Sequence, residues 1–219
     1  MTRASTWFDT PEVSRLAGCL SRLLPHLRSD GIAITGSVAM EIGLARAGHA
    51  PSRLAITDLD LVARDLDVVS PGVGAQFLIS HYHVPQPDAP KFMMQLVDPV
   101  GRIRIDIFPD LVGSIQQAQT VTIGEHVLKV LTLQTIFDHK ALTLERANKA
   151  RPVDPRHDED ARLIGAIVSR EPPTIAPEAL RPEVYSGAGE LICRRCQASR
   201  DVRFPLASRQ EVFEILGYV

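Results

Sequence analysis

The sequence predicts an α/β fold: a mixed-sheet N-terminal domain over residues 1–130, then a mainly helical C-terminal domain with a tail over residues 131–219. Three observations predict it. Up to about Val130, short runs rich in β-branched residues alternate with turn sequences. Two of those runs, around Ile56 and Ile105, alternate strictly between apolar and polar residues. Beyond Val130 the apolar residues take up helical spacing. Strands and helices arranged in this order fit a layered α/β half followed by a helical half.

The elements follow in chain order. Residues 11–28 place Val13, Leu16, Leu20, Leu23, Leu24 and Leu27 at helical spacing, with Thr10 as N-cap and Pro11 at the first helical position. Residues 32–35 read as a short buried strand. A Gly36-Ser37 turn follows, then a helix over about 38–47 that Gly48 terminates. Residues 55–62 form a second strand, whereas 65–86 show no clear period. Residues 91–97 and 102–108 are strands joined by the turn Asp98-Pro99-Val100-Gly101. Another pair, 120–123 and 126–130, meets across Gly124-Glu125. Helices are expected over 133–148 and 156–169, and a proline-rich link over 171–182 leads into the tail.

Composition narrows the class of protein. A chain of 219 residues can bury a substantial core, and 45% hydrophobic with 23% charged residues is ordinary for a globular protein. The net charge of −2 means that a polyanion would have to meet a local basic patch. The first residues, MTRASTWFDTPEV, lack the apolar core of a signal peptide. The longest apolar stretch, 31–47, is interrupted by Glu41 and too short to span a bilayer. Three cysteines do not make a disulfide scaffold. A soluble cytoplasmic protein with no membrane partner is expected.

The sharpest chemistry is acidic. In Ile56-Thr57-Asp58-Leu59-Asp60-Leu61, period-2 alternation sends Asp58 and Asp60 to one face and the leucines to the other. In Arg102-Ile103-Arg104-Ile105-Asp106-Ile107 the isoleucines share a face, and Asp106 lies opposite with Arg104 and Arg102. If the two strands are neighbours, all three carboxylates share one surface. Carboxylates so close repel one another unless a cation sits between them. Oxygen-only ligands favour Mg²⁺ or Mn²⁺ over zinc, and two such ions about 4 Å apart serve in-line displacement at phosphorus. The competing reading is surface aspartates on half-buried strands, but Asp is disfavoured in strands and three mid-strand positions call for a reason. Gly36-Ser37, between a buried strand and a helix, offers free backbone N–H groups and a hydroxyl to a phosphate.

Together, Gly36-Ser37, Arg53 with Thr57-Asp58-Leu59-Asp60-Leu61-Val62, and Ile105-Asp106-Ile107 resemble the DNA polymerase β-type nucleotidyltransferase superfamily. Within it the chain most resembles bacterial minimal nucleotidyltransferases and AbiEii-type toxins. The resemblance implies that residues 1–130 are the catalytic domain, that Gly36 and Ser37 bind a triphosphate with Arg53, and that Asp58, Asp60 and Asp106 hold the metal ions. It gives Asp106 a further part in activating the acceptor hydroxyl. In the second half, Lys140-Ala141-Leu142-Thr143-Leu144-Glu145-Arg146 and Arg156-His157-Asp158-Glu159-Asp160 resemble AbiEii-type elements. By that likeness Lys140 touches the triphosphate, Arg146 assists, and Asp160 orients Lys140 or the nucleotide. Arg156 stands where the family has lysine, which keeps the charge but changes the geometry. The implied partners are an NTP, an acceptor (a tRNA or other RNA end, a protein or an antibiotic), and an antitoxin protein. The likeness runs from about Gly31 to Ile164.

Other features are weaker. Cys193 and Cys196 have the spacing of half a zinc site, with no second pair. Arg194, Arg195, Arg200, Arg203 and Arg209 offer the tail as a basic strip for RNA, or as partners for surface acids. His81 and His83 share a face if their segment is a strand. Two other functions compete with the transferase. One is a glycosyltransferase using Asp-x-Asp, which leaves Gly36, Ser37, Asp106 and Lys140 without roles. The other is a non-catalytic binding module on a degenerate transferase fold.

Overall fold

The computed structural model describes residues 7–53, 55–83, 93–182 and 203–217. The chain forms two compact units, one of Met1–Leu131 with Ser186–Val219 and one of Thr132–Tyr185.

The first unit is built on a seven-stranded mixed sheet in the order β3-β4-β5-β2-β1-β7-β6. Its strands are β1 (Ile32–Thr35), β2 (Asp58–Ala63), β3 (Leu78–His83), β4 (Met93–Asp98), β5 (Ile103–Pro109), β6 (Gln119–Ile123) and β7 (His126–Val130). Its helices are α1 (Pro11–Leu23), α2 (Gly36–Arg46) and α5 (Arg209–Leu216); α3 (Leu133–Glu145) and α4 (Arg156–Val168) belong to the second unit. Strands β1 and β2 run antiparallel, whereas β2 pairs in parallel with β5, and the β3–β4 hairpin fills the connection between them.

Alternation decides which face is core. Leu59, Leu61, Ile103, Ile105 and Ile107 are at most 1% exposed. Leu20 and Leu23 of α1 line one small cavity together with Ile34, Leu61 and Leu128 of the sheet, which places α1 over this apolar face. A polar clasp fixes the helix start. The Ile56 N–H donates to Glu12 Oε2 at 3.0 Å, and Arg15 donates to Glu12, to the Ile56 carbonyl and to the Gly101 carbonyl. The approach to β2 and the β4–β5 turn are therefore tied to one helical turn.

Helix α1 stops at Leu23 rather than at residue 28. Pro25, with no N–H to donate, sits in the 3-10 turn Leu24–His26. Helix α2 begins at Gly36, two residues before the expected start, so Gly36-Ser37 is its first turn and not a separate loop. The 65–86 segment, which showed no period, contains β3. Four consecutive buried residues, Ile79 to Tyr82, erase the alternation there. One cover is the chain end: Phe204 stacks on Tyr82 at 4.8 Å, and the Ala207 N–H donates to the Ile79 carbonyl at 2.9 Å. Residues 203–217 thus group with the sheet, and Thr132–Tyr185 forms the second unit.

That second unit pairs α3 (Leu133–Glu145) with α4 (Arg156–Val168). Thr132 caps α3 through the Thr135 N–H. Gly165 permits close packing, since a Cβ there would lie 2.4 Å from the Arg170 carbonyl oxygen and 3.0 Å from the Phe137 ring. Among the described residues no helix is long and apolar enough to cross a membrane.

Candidate active site

The parallel register of β2 and β5 sets Asp60 directly opposite Asp106 and Asp58 opposite Arg104. Residues aligned this way share a face, so Asp58, Asp60 and Asp106 stand on the side of the sheet away from the leucines and isoleucines. The same row continues through Thr35 on β1, Gln95 on β4 and His81 on β3. His83 shares that face, with its ring edge-on to His81 at 5.9 Å.

Helix α2 starts against the carboxylates. Gly36 has φ +64, and a Cβ there would fall 2.0 Å from Asp60 Oδ2, so only glycine lets the aspartate approach its backbone. Ser37 Oγ donates to Asp58 Oδ1 at 3.4 Å. The helix N-terminus carries partial positive charge and free N–H groups, which suit anions.

Arg104 is the site's internal cation. Its Nη2 lies 3.3 Å from Asp58 Oδ2, and its Nε lies 3.1 Å from Asp106 Oδ2. The sequence placed Arg104 on this face, but its bridging of two carboxylates was not foreseen. Among the described residues no three acidic, imidazole or thiol side chains converge closely enough to hold a metal as they stand. The donor chemistry nonetheless fits a hard divalent ion: carboxylate oxygens from two adjacent strands, on one face, beside a glycine that gives them room.

Asp106 is the most buried of the three, at 5% exposure. Burial pushes its carboxyl above the usual carboxylate range, against the opposing pull of Arg104 and the hydrogen bond from Gln95. A carboxyl whose folded-state pKa is raised favours folding while protonated. That contribution is full below the unfolded pKa and is lost as pH rises through the folded one. In metal-free buffer, Asp106→Asn should therefore match wild type in acid and gain thermal stability over it as pH rises through the elevated value. Paired melting curves over a pH series measure this, and a constant gap would contradict it.

Glu41 was read in the sequence only as an interruption of an apolar stretch. It is buried at 3% exposure and accepts the Ser52 N–H at 2.9 Å, the Arg53 N–H at 3.0 Å and the Ser52 hydroxyl. It thus anchors the backbone that carries Arg53. An acid inside a helix otherwise buried from Val38 to Leu44 was the available signal.

Lys140, Arg146 and Asp160 all belong to the second unit. Lys140 Nζ meets Asp160 Oδ2 at 2.7 Å, both side chains largely buried. Arg146 caps the end of α3 and is exposed. Arg156 forms a two-pronged pair with Asp154, at 2.9 and 3.1 Å. In the tail, Arg203 donates to the Tyr82 hydroxyl at 3.4 Å, and Arg209 stacks over Phe213 at 4.8 Å. Cys193, Cys196, Arg194, Arg195 and Arg200 lie outside the described residues.

No protein-family model and no curated protein matches the chain. Among solved structures it is similar to an antigenic nucleotidyltransferase-like protein from Paracoccidioides brasiliensis, with 21% identity and a TM-score of 0.39, over 72% of this chain and 73% of that one. It is also similar to JHP933 from Helicobacter pylori, with 12% identity and a TM-score of 0.40, over 71% of this chain and 65% of that one. Overlaps this partial leave the chain's own residues to carry any functional reading. Those residues define a mixed-sheet α/β protein whose polar face gathers three aspartates at the start of a helix.

Proposed function

We propose that the chain is a metal-dependent nucleotidyltransferase that moves a nucleoside monophosphate from an NTP to an acceptor hydroxyl and releases pyrophosphate. The observation that carries this reading is the β2–β5 register, which sets Asp60 against Asp106 with Asp58 on the same face and Gly36-Ser37 beside them. Bound Mg²⁺ or Mn²⁺ would supply charge neutralisation and polarisation at the phosphates. Asp58, Asp60 and Asp106 would hold it. The first turn of α2 would receive phosphate oxygens through backbone N–H groups and the Ser37 hydroxyl. Arg53, Lys140, Arg146 and Asp160 are the further nucleotide-binding residues of this reading. In the transfer the acceptor oxygen bonds to the α-phosphorus as the bond to pyrophosphate breaks. Asp106 would help activate the acceptor hydroxyl and take its proton. The acceptor proposed is an RNA end, with the tail arginines as contacts, in a cytoplasmic toxin neutralised by an antitoxin protein.

Incubation with each labelled NTP, Mg²⁺ and total cellular RNA is expected to give a labelled RNA. Label on a protein or a small molecule would move the acceptor and leave the transferase standing. One observation favours a second reading, a non-catalytic module: Arg104 already neutralises part of the acidic face. Calorimetry with a non-hydrolysable NTP and Mg²⁺ separates the two, because a module of that kind would give no heat of binding.

A further inference from the structure

We infer that Gln95 is a positioning residue for Asp106, itself locked in orientation by Ser80. The inference rests on the transferase reading and extends it by one layer of side chains. A chain of buried polar groups runs sideways through the sheet: Ser80, Gln95 and Asp106 are 5%, 7% and 5% exposed. Ser80 Oγ donates to Gln95 Oε1 at 2.7 Å, and Gln95 Nε2 donates to Asp106 Oδ1 at 2.7 Å.

A primary amide has an acceptor end and a donor end of nearly the same shape. The Ser80 hydroxyl claims the acceptor end, so the donor end must face the carboxylate. With the amide reversed, an oxygen would confront Asp106. Ser80 reaches Gln95 through a break in the pairing of β3 with β4. Ile79 pairs with Leu96 and His81 with Gln95, which leaves Ser80 as the extra residue of a bulge. Bulges re-aim side chains and recur beside functional sites. Three polar side chains buried in a sheet cost stability unless each is satisfied.

The effect falls on Asp106. Gln95 holds Oδ1, whatever Oδ2 faces, so the carboxylate is oriented before any cation arrives. Outer hydrogen-bond partners of metal-binding residues are typically worth about 10–100-fold in metal affinity or activity.

The test uses the full chain with Mn²⁺ alone, bound ion being read by electron paramagnetic resonance, beside metal-free melting curves. Gln95→Leu should weaken Mn²⁺ binding by the folded protein about 10–100-fold, with a lower melting temperature because Ser80 and Asp106 lose a buried partner. Ser80→Ala should weaken it less, in the same direction, and Ser80→Thr, which keeps the hydroxyl, should restore it. If Gln95→Leu does not fold, the Ser80 pair carries the test. Wild-type Mn²⁺ affinity in folded Gln95→Leu overturns the inference, as does a loss in Ser80→Ala that Ser80→Thr does not reverse. Asp106→Asn separates the two levels. If Asp106→Asn binds Mn²⁺ like wild type, or wild type binds none, the metal-centre reading falls and the inference with it. If Asp106→Asn loses the ion while Gln95→Leu keeps it, only the role of Gln95 falls.

Discussion

Asp58→Asn and Asp60→Asn should each abolish nucleotidyl transfer, by on the order of 10³-fold or more, and leave the fold intact. A metal ion at a reacting phosphate contributes several kcal/mol to transition-state stabilisation, and about 4 kcal/mol is a thousandfold in rate. Asn keeps the size of Asp and one acceptor oxygen, so one of the two donors at residue 58, Ser37 or Arg104, keeps its acceptor, and residue 60 still fits against Gly36. What it lacks is the charge that holds a cation. The fold depends instead on the opposite face, where Leu59 and Leu61 are at most 1% exposed and neither variant reaches. Melting curves and transfer assays on both variants make the comparison. Full transfer activity in either would remove the metal assignment, and a cooperative loss of structure would show that the aspartates serve the fold.

The acidic face was legible because it rests on local physics. Alternation at Asp58-Leu59-Asp60-Leu61 and at Ile103-Arg104-Ile105-Asp106-Ile107 needs only the period of a strand. The adjacency of those strands in parallel was beyond reach, because a hairpin of β3 and β4, and not a helix, fills the connection. Strand β3 stayed hidden for a related reason: burial from Ile79 to Tyr82 depends partly on Phe204 and Ala207, more than 120 residues away. The bridging position of Arg104, the anchoring of residues 52 and 53 by Glu41, and the Ser80–Gln95–Asp106 chain are all cross-strand or helix-to-loop geometry. Composition and periodicity carry no record of them. The pairing of Lys140 with Asp160 came from the family likeness, since a residue separation of 20 across two helices has no periodic signature.

Lys140→Ala is the variant with the largest expected effect on stability. Lys140 and Asp160 meet at 2.7 Å, with side chains 12% and 8% exposed, and join α3 to α4. Removing one partner of a buried pair costs about 3–5 kcal/mol, because the other charge stays buried without it. The unit Thr132–Tyr185 should therefore melt well below its wild-type temperature. In that state a fall in NTP affinity could come from unfolding as readily as from a lost phosphate contact. The double variant Lys140→Met/Asp160→Leu removes the ambiguity. Apolar side chains of similar volume often replace a buried ion pair without loss, and sometimes with gain, so the fold should recover. The ammonium group would still be missing. If Lys140 touches the triphosphate, the refolded double variant should bind a non-hydrolysable Mg²⁺-NTP more weakly by about 1.5–3 kcal/mol, the worth of one charge-assisted hydrogen bond. Recovery of both the melting temperature and the NTP affinity would show that Lys140 serves α3 and α4 alone. That result would leave phosphate recognition to Gly36, Ser37 and Arg53.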